Sequence, residues 1–155
     1  MRLRSPWLLI LLLILATAAC AAFSPSEAQR KSALDDFMYA LRWQRYQDAA
    51  SFFTSEHREP FLDQIEKIQG SLNVTDVRLQ RLDLKDEGRR AETRMEMDYY
   101  ILPSASLKTM RIDLTWIYFE KGGAERSGFQ IATPFPKFPE ESSRNKSQGK
   151  GTLPP

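Results

Sequence analysis

The spacing of apolar residues along the chain changes from a helical period to a strand period near Gly70. Before that point, residues 34–41 and 49–53 and the segment that begins at Pro60 repeat apolar residues every three or four positions. This spacing is typical of helices with one apolar face. Gly70 suits the end of the third helix, because glycine favours the position just past a helix C terminus. We therefore predict three helices, with residues 54–59 as a polar connection between the second and the third.

Beyond Gly70, apolar and polar residues alternate, which predicts strands in four segments, at residues 74–84, 91–101, 107–118 and 129–133. In the first strand the alternation slips, because Val77 and Leu79 share one parity while Leu82 and Leu84 share the other. One extra residue near Gln80 and Arg81 would produce such a slip, so we predict a β-bulge there.

The second and third strands predict a hairpin. If residues 103–106 form its loop, Tyr99 faces Met110, and Asp98 faces Arg111 on the other side of the sheet. The apolar residues of both strands then fall on one face, and a cross-strand ion pair falls on the other. Residues 134–139 contain three prolines, which exclude a central strand.

The first twenty residues have the order of an export signal. Arg2 and Arg4 precede the apolar residues 7–15, small residues follow at 16–19, and the only cysteine of the chain is Cys20. The sequence divides into a signal peptide at 1–19, a single domain at 20–139 and a polar tail at 140–155 that we expect to be disordered. The 22 basic and 20 acidic residues nearly balance, so we expect no nucleic-acid partner.

Ala18, Ala19 and Cys20 resemble the end of a bacterial lipoprotein signal, although Thr17 stands where leucine is usual. The resemblance implies a lipid such as palmitate on Cys20, attachment to a membrane of the cell envelope and a periplasm-facing domain. With Ala21 rather than aspartate next, it implies the outer membrane more than the inner one. Two alternatives stay open. Ordinary cleavage would release the protein, and residues 7–23 reach the lower end of the roughly 17–25 residues that span a bilayer.

The domain resembles the nuclear transport factor-two-like fold, also described as a cystatin-like α+β roll. Residues 34–41 and 46–53 are similar to that family's first two helices, and residues 128–131 to its last strand. The resemblance implies an α+β fold in which N-terminal helices pack on a curved antiparallel sheet of about four strands, shaped as a cone with a pocket at its open end. The side chains expected to line such a pocket are those of Met95, Met97, Tyr99, Met110, Trp116 and Tyr118.

Few residues offer chemistry for catalysis. His57 is the only histidine, and with Cys20 lipidated or removed no thiol nucleophile is left, so we expect no catalytic residue, metal site or cofactor. We predict a non-catalytic binding or assembly module, with a small apolar ligand or an envelope protein as its partner. The alternative is a small isomerase- or cyclase-like enzyme, which requires Glu96, Asp98 or Asp113 to enter a cavity beside Tyr99.

Overall fold

The computed structural model describes residues 27–121, 123 and 125–139; the predicted signal peptide, Cys20 and the tail at 140–155 lie outside these residues. Three helices precede one antiparallel sheet whose strands are adjacent in chain order. The predicted fold class, α+β with N-terminal helices on a four-stranded antiparallel sheet, is confirmed. The elements are α1 (Glu27–Arg42), α2 (Tyr46–Ala50), α3 (Ser55–Glu66), β1 (Leu72–Lys85), β2 (Arg90–Ile101), β3 (Ser104–Phe119) and β4 (Gly128–Ile131).

Helix α1 packs its apolar stripe on the sheet. Leu34, Phe37 and Leu41 are all buried, and the Phe37 ring meets that of Trp116 on β3 edge-on at 5.5 Å. Helix α2 is five residues long, and the chain after it runs along β4. There the N–H of Thr54 donates to the carbonyl of Ile131 at 3.0 Å. The segment after α2 therefore covers the outer edge of β4.

Helix α3 begins at Ser55, so the polar connection predicted at residues 54–59 is wrong, and Pro60 lies inside the helix. The cause is a partner distant in the sequence. The Ser55 backbone N–H and Oγ donate to the Glu125 carboxylate, with N···Oε1 at 3.1 Å and Oγ···Oε1 at 2.5 Å. A carboxylate at a helix N terminus satisfies a free N–H group and complements the helix dipole. The Ser55 hydroxyl holds the pKa of Glu125 below its usual value.

Strand β1 contains the predicted bulge. Leu79 pairs with Met95 and Arg81 with Arg94, which leaves Gln80 as the extra residue. A second irregularity lies at Thr75. The apolar residues on both sides of Gln80 thereby stay on the face that carries the core, as the slip in the sequence pattern indicated.

The register predicted between β2 and β3 is wrong by two residues. Met110 faces Met97 rather than Tyr99, and Arg111 faces Glu96 rather than Asp98. The cause is a shorter turn, because Ile101 pairs with Ser104 and the loop does not occupy residues 103–106. A shift of two residues keeps every side chain on its predicted face.

The proline segment, residues 134–139, covers part of the core beside α3. Gln64 on α3 donates from Nε2 to the carbonyl of Pro136 at 2.9 Å. The Phe135 ring meets that of Phe61 at 5.2 Å, and the Phe138 ring meets that of Tyr99 at 5.3 Å. The segment therefore adds two aromatic side chains to the core without adding a strand.

Candidate functional site

The six side chains expected to line a pocket lie on the face of the sheet that the helices cover. Five of them are at most 8% exposed, and Tyr118 is partly buried. Trp116 contacts Phe37 of α1, and Tyr99 contacts Phe138 of the proline segment. Their surroundings are those of core residues. The six are Met95, Met97, Tyr99, Met110, Trp116 and Tyr118.

The described residues form surface cavities elsewhere, among them the following three. The first, about 520 Å³, is a cleft between α2 and α3, and another of about 490 Å³ lies between α1 and β4. The third, about 350 Å³, lies on the outer face of the sheet. Among the residues that the structure describes, none of the six borders any of these three cavities.

The cleft between α2 and α3 is acidic. Glu59, Asp63 and Glu66 line it from α3, at the spacing of one helix face, and they are exposed. Asp48 lines it from α2 and is paired with Arg45 at 2.5 Å. The cleft therefore favours cations over anions. The spacing of the three α3 carboxylates can be seen in the sequence. The sequence does not show that α2 forms the other wall of the cleft.

Tyr46 also borders this cleft and is 7% exposed. Its hydroxyl is buried and has no hydrogen-bond partner in the described part of the chain. Burial raises the pKa of Tyr46 to about 12, because the phenolate would lose its hydration. The hydroxyl is therefore protonated at neutral pH and cannot act there as a base.

Asp98 belongs to an ion-pair network on the outer face of the sheet. Arg78 on β1 places Nη1 2.6 Å from Asp98 Oδ2 and 2.8 Å from Asp76 Oδ2. Thr109 donates from Oγ1 to Asp98 Oδ1 at 2.7 Å. The Arg78 guanidinium and then the Thr109 hydroxyl hold the pKa of Asp98 below its ordinary value. A carboxylate with a lowered pKa is a weaker base, so this environment opposes a role in proton abstraction.

The other two carboxylates that the enzyme alternative requires are also on the outer face. Glu96 accepts a hydrogen bond from Gln80 Nε2 at 2.9 Å, and Asp113 pairs with Arg94 at 2.8 Å. Tyr99 lies on the opposite, buried face, because successive side chains of a strand alternate between faces. The structure therefore does not bring these carboxylates together with Tyr99.

Across residues 27–121, 123 and 125–139, no three or more His, Cys, Asp or Glu side chains are grouped as metal ligands. Within the same residues, no helix has the length and hydrophobicity needed to cross a bilayer. The predicted lipidation site, Cys20, lies outside them.

No protein-family model matches the chain, and no curated protein is significantly similar to it in sequence. Among solved structures, the chain is similar to a Xanthomonas campestris protein provisionally named a polyketide cyclase. The two are 12% identical, with 67% of this chain and 89% of that chain covered, at a TM-score of 0.41. The proposed function therefore rests on the chain's own residues.

Proposed function

We propose that this chain is an exported cell-envelope protein, held to a membrane by acyl groups on Cys20, whose α+β domain is a non-catalytic binding or assembly module. The observation that carries the proposal is the order of the first twenty residues, with two arginines, an apolar run, small residues and then the only cysteine. That order fits a signal that is recognised for export and cleaved before a thiol.

Lipid on Cys20 gives the single cysteine a role. Each buried CH₂ of an acyl chain contributes roughly 0.8 kcal/mol to membrane attachment, and stable anchoring needs more than one chain. A free thiol in an exported protein would instead be open to oxidation. Ala21, rather than aspartate, follows Cys20, which supports an outer-membrane position with the domain facing the periplasm.

The described side chains support a binding role over a catalytic one. Glu96, Asp98 and Asp113 are engaged on the outer face of the sheet, away from Tyr99. Tyr46, a buried tyrosine that borders the cleft between α2 and α3, holds its proton at neutral pH. A binding module needs surface and shape but no titrating group, and these observations fit that requirement. Its partner is a small apolar ligand or another envelope protein.

Metabolic labelling with a palmitate analogue tests the anchor. We expect the wild-type chain to carry label and to sediment with membranes, and Cys20→Ala to lose both. Ala21→Ser, next to the acceptor, is the matched control and should keep both. Label or membrane attachment that survives in Cys20→Ala would contradict the proposal. Membrane attachment of the wild-type chain without label would favour an uncleaved helix, and release into the medium would favour plain secretion.

A further inference from the structure

Strand β1 forms one edge of the sheet. It is 14 residues long, and in the part of the chain that the structure describes only β2 pairs with it. A long edge strand presents a row of backbone N–H and C=O groups to which another strand can bond. The opposite edge, β4, is covered by the segment around Phe53, which bridges to Ile131. The edge at β1 is therefore open to a further strand, whereas the edge at β4 is covered.

The free edge also carries exposed leucines on the side of the sheet that faces the core. Leu79 and Leu82 are each 38% exposed and Leu84 is 47% exposed, whereas their cross-strand neighbours on β2 are buried. The helices thus cover the inner face at β2 and at the start of β1, where Leu72 and Val74 are buried, and leave it partly open along the second half of β1. Adjacent exposed leucines at a strand edge mark a surface suited to association.

We propose that two copies of this chain pair along β1, antiparallel, about a two-fold axis that passes between Gln80 and Arg81. Gln80 of one copy then faces Arg81 of the second copy. The two four-stranded sheets become one continuous sheet of eight strands. The proposal goes beyond the proposed function and is independent of the lipid on Cys20.

The bulge is what makes this pairing consistent on both faces. An antiparallel pair about such an axis must bring side chains of the same face together. Gln80 reaches Glu96 and Arg81 is opposite Arg94, so both belong to the outer face. Leu79 and Leu82, on either side of them, both belong to the inner face. Without the extra residue, neighbours about the axis would fall on opposite faces.

In this register the inner face pairs apolar residues only. Leu79 faces Leu82 of the second copy, and Val77 faces Leu84 of the second copy. Each pair occurs twice because of the symmetry, so the exposed leucines of both copies become covered by one another. Cross-strand apolar pairs of this kind stabilise antiparallel strands.

The outer face pairs opposite charges. Arg78 faces Asp83 of the second copy, and Asp76, which also pairs with Arg42 of α1 at 3.1 Å, faces Lys85 of the second copy. Moving the register by two residues in one direction places Arg78 against Arg81 and Asp76 against Asp83 of the second copy. Moving it by two in the other direction places Arg78 against Lys85. Like charges directly opposite one another destabilise a strand pair, so the charges select the register centred between Gln80 and Arg81.

Sedimentation equilibrium of the full chain in density-matched detergent tests the dimer. We expect the wild-type chain to be dimeric and Leu82→Glu to raise the dimer dissociation constant by about 100-fold or more, because two glutamates would enter the apolar pairs. The matched control is Leu107→Glu, at a leucine that is 63% exposed in the β2–β3 hairpin, and it should stay dimeric. A monomeric wild-type chain, or equal behaviour of the two variants, would overturn the proposal.

Disulfide trapping tests the register without depending on the leucine variants. A chain with Gln80→Cys and a differently tagged chain with Arg81→Cys are produced together in cells and oxidised. Opposed residues of antiparallel strands are about 4.5–5.5 Å apart at Cα, within disulfide range. We expect a mixed-tag dimer from this pair. Gln80→Cys with Lys85→Cys, offset by about 13 Å along the strand, should give far less. Cys20 is the same in every mixture. Equal yields from both pairs, or none from the first, would overturn the register.

Discussion

The indole Nε1 of Trp116 donates a hydrogen bond of 3.1 Å to Oγ1 of Thr93, and both residues are buried. The Thr93 hydroxyl in turn donates to the carbonyl of Leu114 at 3.3 Å. Thr93 pairs directly with Leu114 in the sheet, which makes Trp116 its diagonal neighbour on the same face. One threonine thus satisfies the only polar group of a large core side chain.

Replacing this threonine should leave the indole N–H buried and unpaired. We expect Thr93→Val to lower the free energy of unfolding by about 1–3 kcal/mol, the usual cost of a buried unsatisfied donor. Urea unfolding followed by tryptophan fluorescence measures the change. Thr93→Ser keeps the hydroxyl and is the control; a larger loss in the serine variant than in the valine variant would show that the methyl group, not the hydrogen bond, is what matters.

Phe135 should contribute strongly to stability, although it lies in a segment with no secondary structure. It is 7% exposed and contacts both Phe53 and Phe61. We expect Phe135→Ala to cost about 3–5 kcal/mol of unfolding free energy, the range for truncating a buried phenylalanine. Phe138→Ala, at a partly buried ring of the same segment, should cost less. Equal and small losses for both, in thermal or urea unfolding, would place the segment outside the cooperative unit.

The faces of the strands could be predicted from the sequence, because alternation depends only on local spacing. The bulge at Gln80 was found in the same way, as a slip in that alternation. The register of β2 against β3 could not be predicted in this way, since two registers that differ by two residues place the same side chains inside. The start of α3 also escaped prediction, because its partner Glu125 lies 70 residues away from Ser55.

The candidate site was predictable only in part. Sequence parity placed Asp98 on the outer face, but its partner is Arg78 on β1, which required the register of that strand. The apolar face of β2 and β3 looks the same in a sequence whether it lines a cavity or fills a core. Whether this face lines a cavity or fills a core depends on the side chains that cover it. Here those include Phe37, from the first helix, and Phe138, from beyond the last strand.

The observed register of the β2–β3 hairpin can be tested in the folded protein. Glu96 and Arg111 face each other, so the double variant Glu96→Cys/Arg111→Cys should form an intrachain disulfide under mild oxidation. Asp98→Cys/Arg111→Cys, the pair that the longer loop would bring together, is the matched control and should form little. Preferential closure of the control pair, read from mass spectrometry of digested protein, would favour the longer loop.

Arg78 should make the stability of the domain depend on pH in the acid range. In the folded state it holds the pKa values of Asp76 and Asp98 below their ordinary value of 3.8. A carboxyl whose pKa is lowered by folding stabilises the folded state above its unfolded pKa. That contribution is lost as the pH falls through the lower, folded pKa. Removing Arg78 should therefore lower the free energy of unfolding at neutral pH and change it little in strong acid.

Arg78→Met and Arg111→Met separate this effect from a general loss of positive charge. Both arginines are on the outer face, but Arg111 forms no ion pair within the described residues, whereas Arg78 contacts Asp76, Glu96 and Asp98. We expect urea midpoints measured from pH 7 down to pH 2 to show a deficit for Arg78→Met that is largest above about pH 4 and closes below it. Arg111→Met should follow the wild-type curve. A deficit for Arg78→Met that is constant over the whole pH range would contradict this prediction, because a contribution from ion pairing disappears once the carboxyl groups are protonated. The cause of the deficit would then be packing of the aliphatic part of Arg78 that methionine does not reproduce.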